Sequence, residues 1–315
     1  MYNRNLRFLP LSGTFMKSSG LHRFALLLSA CTLLLVAAGA TVTSKEAGLS
    51  VPDWPLSYGK VMPPMTGGVL FEHGHRMIAT TVGLLTVVLA IWIWRVERRH
   101  WMKVLAGFAV FGVVLQGVLG GLTVLFLLPK PISISHACLA QLFFCTVVSI
   151  AVFTSPSWLR GPQIVEDSSW PPLRSLGVLV PALVLCQIAL GAAFRHGAAG
   201  ITPHIVGAMV VTGAILIVSM FVLSQFPAHR ILRRCALALL LITGIQVLLG
   251  IGAYMARLSV GDAMRTPLAM VLPTVAHVAV GALTFGCSVV LAIEIFRNVR
   301  RASTFDIESE HVTAA

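Results

Sequence analysis

Eight apolar runs, each long enough to cross a bilayer, limit what this chain can fold into. They lie at 22–43, 75–96, 102–127, 132–154, 174–194, 203–224, 232–254 and 272–294. A helix needs about 20 apolar residues to span the hydrocarbon core, and every run meets that length. Composition points the same way. Of 315 residues, 57% are hydrophobic and 11% charged, against roughly a quarter charged in soluble domains, and the mean hydropathy is +0.89. The expected fold class is an all-α integral membrane protein with eight transmembrane helices, its lipid contacts extending over much of its surface.

Pro131, Pro203 and Pro273 fall at or near the first turn of the fourth, sixth and eighth runs, where a missing N–H does little harm. Pro181 lies inside the fifth and predicts a kink there. Ala38-Gly39-Ala40 looks like a signal-peptidase site. The apolar stretch runs on past it, however, and cleavage would leave an odd helix count, so the first run is read as a membrane helix.

The net charge of +12 does not mark a nucleic-acid binder, because the basic residues sit in short stretches between the runs rather than on one face. Sixteen of the 23, from Arg4, Arg7, Lys17 and Arg23 to Arg297, Arg300 and Arg301, fall on the side where the N-terminus lies. Seven fall opposite: Lys45, Lys60, Arg76, Lys130, Arg195, Arg257 and Arg265. The positive-inside rule then places both termini in the cytoplasm, and the polar, acidic tail after Ser303 is expected to be disordered. All six cysteines lie within or at the edge of apolar runs. They read as small packing residues, with no disulfide framework.

The chain repeats. His75 opens the second run and His204 the sixth, 129 residues on; Gln116…Gly120 in the third recurs as Gln246…Gly250 in the seventh, 130 residues on. The fifth carries a further copy, Gln187…Gly191, and His136 in the fourth is matched by His277 in the eighth. Two tandem four-helix units in parallel orientation are expected. The glycines of the odd runs read as close-packing positions.

One histidine near a helix end is ordinarily an interfacial residue. Four, at the same end of all four even runs, suit a haem, which takes axial nitrogens from facing helices of a bundle. The pairs are His75 with His136 and His204 with His277. Zinc fits less well, since its sites take three or four protein ligands. His22, His100, His229 and His311 look ordinary, whereas His73 and His196 stand close enough to the ligand candidates to line a site. Glu72 breaks the symmetry: three residues before His75, it shares a helix face with it, whereas Ile201 occupies that place before His204. Arg76 is a candidate contact for haem propionates, or an interfacial anchor.

Glu72-His-Gly-His-Arg76, preceded by the loop Gly48-Leu-Ser-Val-Pro-Asp-Trp-Pro-Leu56, resembles the haem A synthase family of bacteria and mitochondria, and the resemblance runs from the first run to the eighth. It implies oxidation of the C8 methyl of haem O to a formyl group, giving haem A for terminal oxidases, in the bacterial cytoplasmic (inner) membrane. It also implies that His75 and His136 hold the substrate haem beside Glu72 as the essential acid, and that His204 and His277 ligate a haem b. The division would be an N-terminal cytoplasmic segment 1–21, a catalytic unit 22–154, a cytoplasmic linker 155–173, a haem b unit 174–296 and a cytoplasmic tail 297–315. Haem O synthase is the implied substrate donor. The electron donor, the oxygen source and a homo-oligomeric state stay open. Some bacterial members carry cysteine pairs in outer loops. The loops at 44–71 and 195–202 hold none, so this chain resembles the cysteine-free type. Two other readings share these features: a di-haem b-type electron carrier, which leaves Glu72 without a role, and a transporter, against which the sequence shows no charged pathway through the membrane.

Overall fold

A computed structural model describes residues 12–260 and 268–302. Arg4, Arg7, Arg265, His311 and the tail from Ser303 fall outside the described residues, as does the side chain of Lys17.

Eight long helices cross the membrane: α1 (Ser12–Ser44), α2 (Gly68–Val96), α3 (His100–Leu125), α4 (Lys130–Thr154), α6 (Leu173–Arg195), α7 (Thr202–Gln225), α8 (Arg230–Val260) and α9 (Leu268–Asn298). The remaining helix, α5 (Pro156–Leu159), is a single turn, and two short strands, β1 (Val165–Asp167) and β2 (Val299–Arg301), pair in parallel. The protein is an all-α, eight-span membrane protein. Large apolar side chains such as Phe108, Phe111, Met209 and Leu248 stand exposed along the spans, where lipid is their solvent.

Helix ends differ from the apolar runs in two places that matter. The second helix starts at Gly68 rather than at residue 75, because Glu72 and His73, polar and so outside the apolar run, are buried against a loop. His75 is therefore two turns inside its helix. The eighth long helix starts at Leu268, which puts Pro273 inside α9 rather than in its first turn. Pro131 and Pro203 do occupy first turns, and Pro181 lies inside α6.

Helices α1 to α4 close on one another as a ring, α1 on α2, α2 on α3, α3 on α4 and α4 on α1, and α6 to α9 do the same. The rings meet where α9 packs on α1 and α4, and α4 on α6. One apolar cluster, with Leu28, Leu89, Ile93, Met102 and Ile150, fills the first ring. A second, with Ile215, Leu232, Leu239, Leu291 and Ile295, fills the other and takes in Phe144 and Cys145 of α4. At the junction the Phe144 ring lies over Gly286, so that a Cβ there would stand 3.1 Å from Cε1.

The end at which the arginines cluster is clipped shut by backbone. β1 pairs with β2, Asp167 Oδ2 accepts the Leu173 N–H at 2.7 Å, and Gln163 N–H donates to Asn298 Oδ1 at 2.9 Å. Arg174 Nε donates to the Val299 carbonyl at 2.9 Å, and the Arg297 guanidinium covers the Trp158 ring at 4.1 Å. The 155–173 segment is thus an ordered strap fastened to the end of α9. His22 and His229 each reach a backbone carbonyl, of Ala151 at 2.9 Å and Gln163 at 3.1 Å, which accounts for both without further chemistry.

Gly286→Leu is expected to force Phe144 away and separate α4 from α9, costing about 1–3 kcal/mol. A lowered Tm in detergent checks it, with Gly213→Leu, where an added Cβ meets nothing within 4 Å, as the control.

Candidate functional site

At the end opposite the arginine clusters, each of the four histidine rings lies on a glycine of the helix before it. A Cβ on Gly39 of α1 would stand 3.0 Å from His75 Cε1, one on Gly120 of α3 3.4 Å from His136, one on Gly191 of α6 2.8 Å from His204, and one on Gly250 of α8 2.9 Å from His277. The glycines expected to bring helices together also act as notches for rings. Three of these notches are preceded one turn earlier by glutamine, and the glutamines reach the same histidines. Gln116 Nε2 donates to the His136 carbonyl at 3.0 Å; Gln187 Nε2 donates to the His204 carbonyl at 2.8 Å and lies 3.0 Å from its Nδ1. His277 Nδ1 is 3.2 Å from the Gln246 carbonyl. Donation to that carbonyl leaves Nε2 its lone pair, which the Gln246 amide nitrogen approaches at 3.5 Å.

The His204 and His277 rings stand edge to face, with centroids 6.2 Å apart and planes at 88°. Two metal–nitrogen bonds of about 2 Å, with the half-rings behind them, bring imidazole centres to about 6 Å in a bis-histidine complex. The donor set and spacing therefore fit an iron held between them. The Nδ1 atoms of His75 and His136 are each buried without a hydrogen-bond partner. Among the described residues no group of three or more His, Cys, Asp or Glu gathers as a metal site.

Glu72 and Arg76 are brought together and turned toward the loop that precedes them. The carboxylate accepts the Val51 N–H at 2.8 Å through Oε2 and pairs with Arg76 Nη2 at 2.6 Å through Oε1. Arg76 Nη1 donates to the carbonyls of Asp53 at 2.8 Å and Leu56 at 2.9 Å. His73 Nδ1 meets the Ser57 hydroxyl at 2.8 Å, while its Nε2 is buried and unpartnered. The loop closes on itself as well: Asp53 accepts the N–H of Gly59 and Tyr58, at 2.8 and 2.6 Å. Those bonds, the one from Gly59 foremost, hold its carboxyl below the ordinary range. Their contribution is complete above the ordinary value and is lost as pH falls through the depressed one. Tied down in this way, the loop lays Trp54 on Gly121, where a Cβ would meet the indole at 2.8 Å, next to the Gly120 notch of His136.

His196 caps the C-terminus of α6. Burial, helped by Arg195, pushes its pKa down. Arg195 binds the Ala40 carbonyl and the Ser44 hydroxyl, each at 2.7 Å, and Lys130 binds the Gly197 carbonyl at 2.7 Å. These ties hold the two rings together at the histidine end. Neither Arg195 nor the glutamines stood out from the sequence as site residues. The glutamines were visible as a repeat, but nothing in spacing alone says which helix they face.

Residues 22–68 and 67–204 match the family model COX15-CtaA, described as a cytochrome oxidase assembly protein. The chain is also similar to a protein named Heme A synthase from Shouchella clausii (strain KSM-K16), 35% identical over 135 residues, 41% of this chain and 44% of that one. One of the same name from Symbiobacterium thermophilum (strain DSM 24528 / JCM 14929 / IAM 14863 / T) is 32% identical over 173 residues, 53% of this chain and 56% of that one. A third, from Shewanella oneidensis (strain ATCC 700550 / JCM 31522 / CIP 106686 / LMG 19005 / NCIMB 14063 / MR-1), is 29% identical over 178 residues, 51% of this chain and 52% of that one. The chain thus spans about half the length of the curated relatives it matches.

Arg76→Ala removes charge-assisted bonds worth about 1.5–3 kcal/mol from the loop. Tryptic cleavage at Lys60 in the folded protein should accelerate about tenfold or more. An unchanged cleavage rate would mean that the loop is held by other contacts.

Proposed function

This chain belongs to the COX15-CtaA family of cytochrome oxidase assembly proteins, and from that premise we propose that it is a haem A synthase. The reaction converts the C8 methyl of haem O to a formyl group: the carbon loses two hydrogens and gains one oxygen, a four-electron oxidation. The observation that carries the reading is the pair His204 and His277, spaced at 6.2 Å for one iron, in a family whose relatives bear that name.

In this reading the two helix rings are copies of one four-helix unit, and their jobs differ. His204 and His277 hold a resident haem b that passes electrons. His75 and His136 hold the substrate haem, and the 48–57 loop with Trp54 covers that site and keeps water from it. Haem iron with a displaceable axial ligand supplies the oxygen chemistry that an unactivated methyl requires. Glu72 is the catalytic acid. Both its oxygens are engaged, by Val51 N–H and by Arg76, so its proton chemistry is coupled to the seating of the loop. Arg76 spends Nη1 and Nη2 on the loop and Glu72, which leaves Nε for a haem propionate. The arginine-rich side, carrying both termini, faces the cytoplasm of a bacterial inner membrane, and haem O synthase supplies the substrate.

Co-expression with haem O synthase, followed by extraction of the bound haems, should yield haem A together with haem b. Haem b alone, with haem O available, would leave a di-haem b-type electron carrier. Glu72→Ala loses both the charge and the loop anchor, whereas Glu72→Gln keeps an acceptor for Val51 N–H. Both should retain haem b and lose about 10²-fold or more of haem A output, the scale of a general acid or base. Full output from Glu72→Gln would reduce Glu72 to a loop anchor.

A further inference from the structure

At the arginine end the junction between the two helix rings leaves a crevice. It lies between α3, α4 and α5 on one side and α6 and α9 on the other, with a volume of about 690 Å³, within the range of sites that take a small ligand. From Trp101 in the first turn of α3 and Phe296 in the last turn of α9 it runs inward to Pro181 and Val289. The stretch of α9 from 296 to 289 is about 10 Å long. Small residues leave the room: Gly177 and Ala292 lie in its wall, where a Cβ on Gly177 would meet the Ala292 backbone at 3.8 Å. The lining side chains include no carboxylate. Val178, 58% exposed, and Phe296, 47% exposed, open the crevice sideways to lipid.

The mouth of the crevice is positive. Three guanidinium groups stand over its aromatic rings: Arg99 over Trp101 at 5.1 Å, Arg174 over Phe296 at 5.5 Å and Arg297 over Trp158 at 4.1 Å. Arg99 is paired with Glu97 at 2.6 Å. Arg174 and Arg297 bond backbone carbonyls, those of Val299 and Phe296 and of Ser157 and Trp158, and neither is ion-paired among the described residues. Glu294, about one turn before Arg297, is buried and accepts the Asn298 amide at 2.9 Å. Aromatic rings of membrane proteins gather at headgroup level, so these two charges stand where a lipid carries its phosphate.

We propose that the crevice binds one anionic phospholipid from the leaflet on the arginine side, its phosphate held by Arg174 and Arg297 and one acyl chain laid between the two helix rings. Basic pockets between membrane helices suit acidic headgroups, and a guanidinium matches a phosphate in both charge and geometry. Left empty, the crevice would deprive its walls of dispersion contacts, and an acyl chain is thin and long enough to supply them down to Pro181 and Val289. The lipid would touch α6 and α9 with its headgroup and both rings with its chain, which makes it a seal for their junction. A neutral isoprenoid quinone could fill the same groove but would leave the two arginines without a partner. The site is independent of whether the histidines hold haem.

The test uses the full chain, purified and stripped of lipid in mild detergent. Phosphatidylglycerol or phosphatidylcholine with brominated acyl chains, which quench tryptophan on contact, is then added. Phosphatidylglycerol should quench saturably at one lipid per chain, with phosphatidylcholine about tenfold weaker. The saturable part should disappear when Trp101→Phe and Trp158→Phe are combined, and native mass spectrometry should find a single phosphatidylglycerol retained. Arg174→Gln combined with Arg297→Gln should weaken phosphatidylglycerol about tenfold and leave the phosphatidylcholine response as it was, which also reports that the fold is kept. Equal quenching by the two lipids in the wild type, a comparison that needs no variant, would overturn the proposal. So would undiminished phosphatidylglycerol affinity in the double arginine variant, saturable quenching that survives loss of both tryptophans, or retention of a quinone in place of the phospholipid.

Discussion

The contact on which the histidine end depends is an imidazole lying on a glycine. A Cβ at Gly39, Gly191 or Gly250 would come within 3.0 Å of a ring carbon, closer than packed side chains tolerate. In lipid there is little hydrophobic gain in bringing helices together, so close packing against small residues does much of that work. Here the same small residues also admit a polar ring. Burying an imidazole costs free energy unless its nitrogens are used, and the glutamine one turn earlier reaches a ring nitrogen in two of the four cases, His204 and His277.

Around that arrangement the two ends of the molecule are built by different means. The arginine end is closed by backbone pairing and by arginines capping carbonyls, Arg297 that of Trp158 in the strap and Arg174 that of Phe296 on α9. These groups are indifferent to any ligand. The histidine end is closed by side chains that converge on it: Arg195 and Lys130 tie α6 to α1 and α4, and Arg76 with Glu72 pins the 48–57 loop. Among the described residues only the first helix ring carries such a cap; in the second, the stretch 196–201 that joins α6 to α7 has six residues.

Glu72 shows how a single residue serves both levels. Its burial would be costly for an isolated carboxylate, and the Arg76 guanidinium and Val51 N–H compensate it. Protonation or displacement of that carboxylate would loosen the loop that carries Trp54. In the proposed enzyme the acid beside the substrate and the lid over it are thus one mechanical unit, whereas the second histidine pair has Ile201 in the place of that acid.

Much of this was legible in the amino-acid sequence, for a physical reason. Membrane helices announce themselves by length and hydropathy, so the eight spans and the four histidines at one end follow from the chain alone. Residues whose polarity is satisfied by partners distant in sequence were harder to place. Gly68 to Phe71 read as loop, and Glu72 and His73 fell outside the apolar run because they interrupt its pattern. They continue the helix because Val51 and Ser57, about 20 residues away, bond them. The Gln-x-x-x-Gly pattern was plain as a repeat and silent as to purpose, since spacing shows which residues share a helix face and not what that face meets. Only the tertiary structure decided that Gln116 and Gln187 bond the backbone of the histidine on the next helix, and that Arg76 points first to the loop. Each of those facts depends on the rotation of one helix against another, which packing sets and local sequence does not.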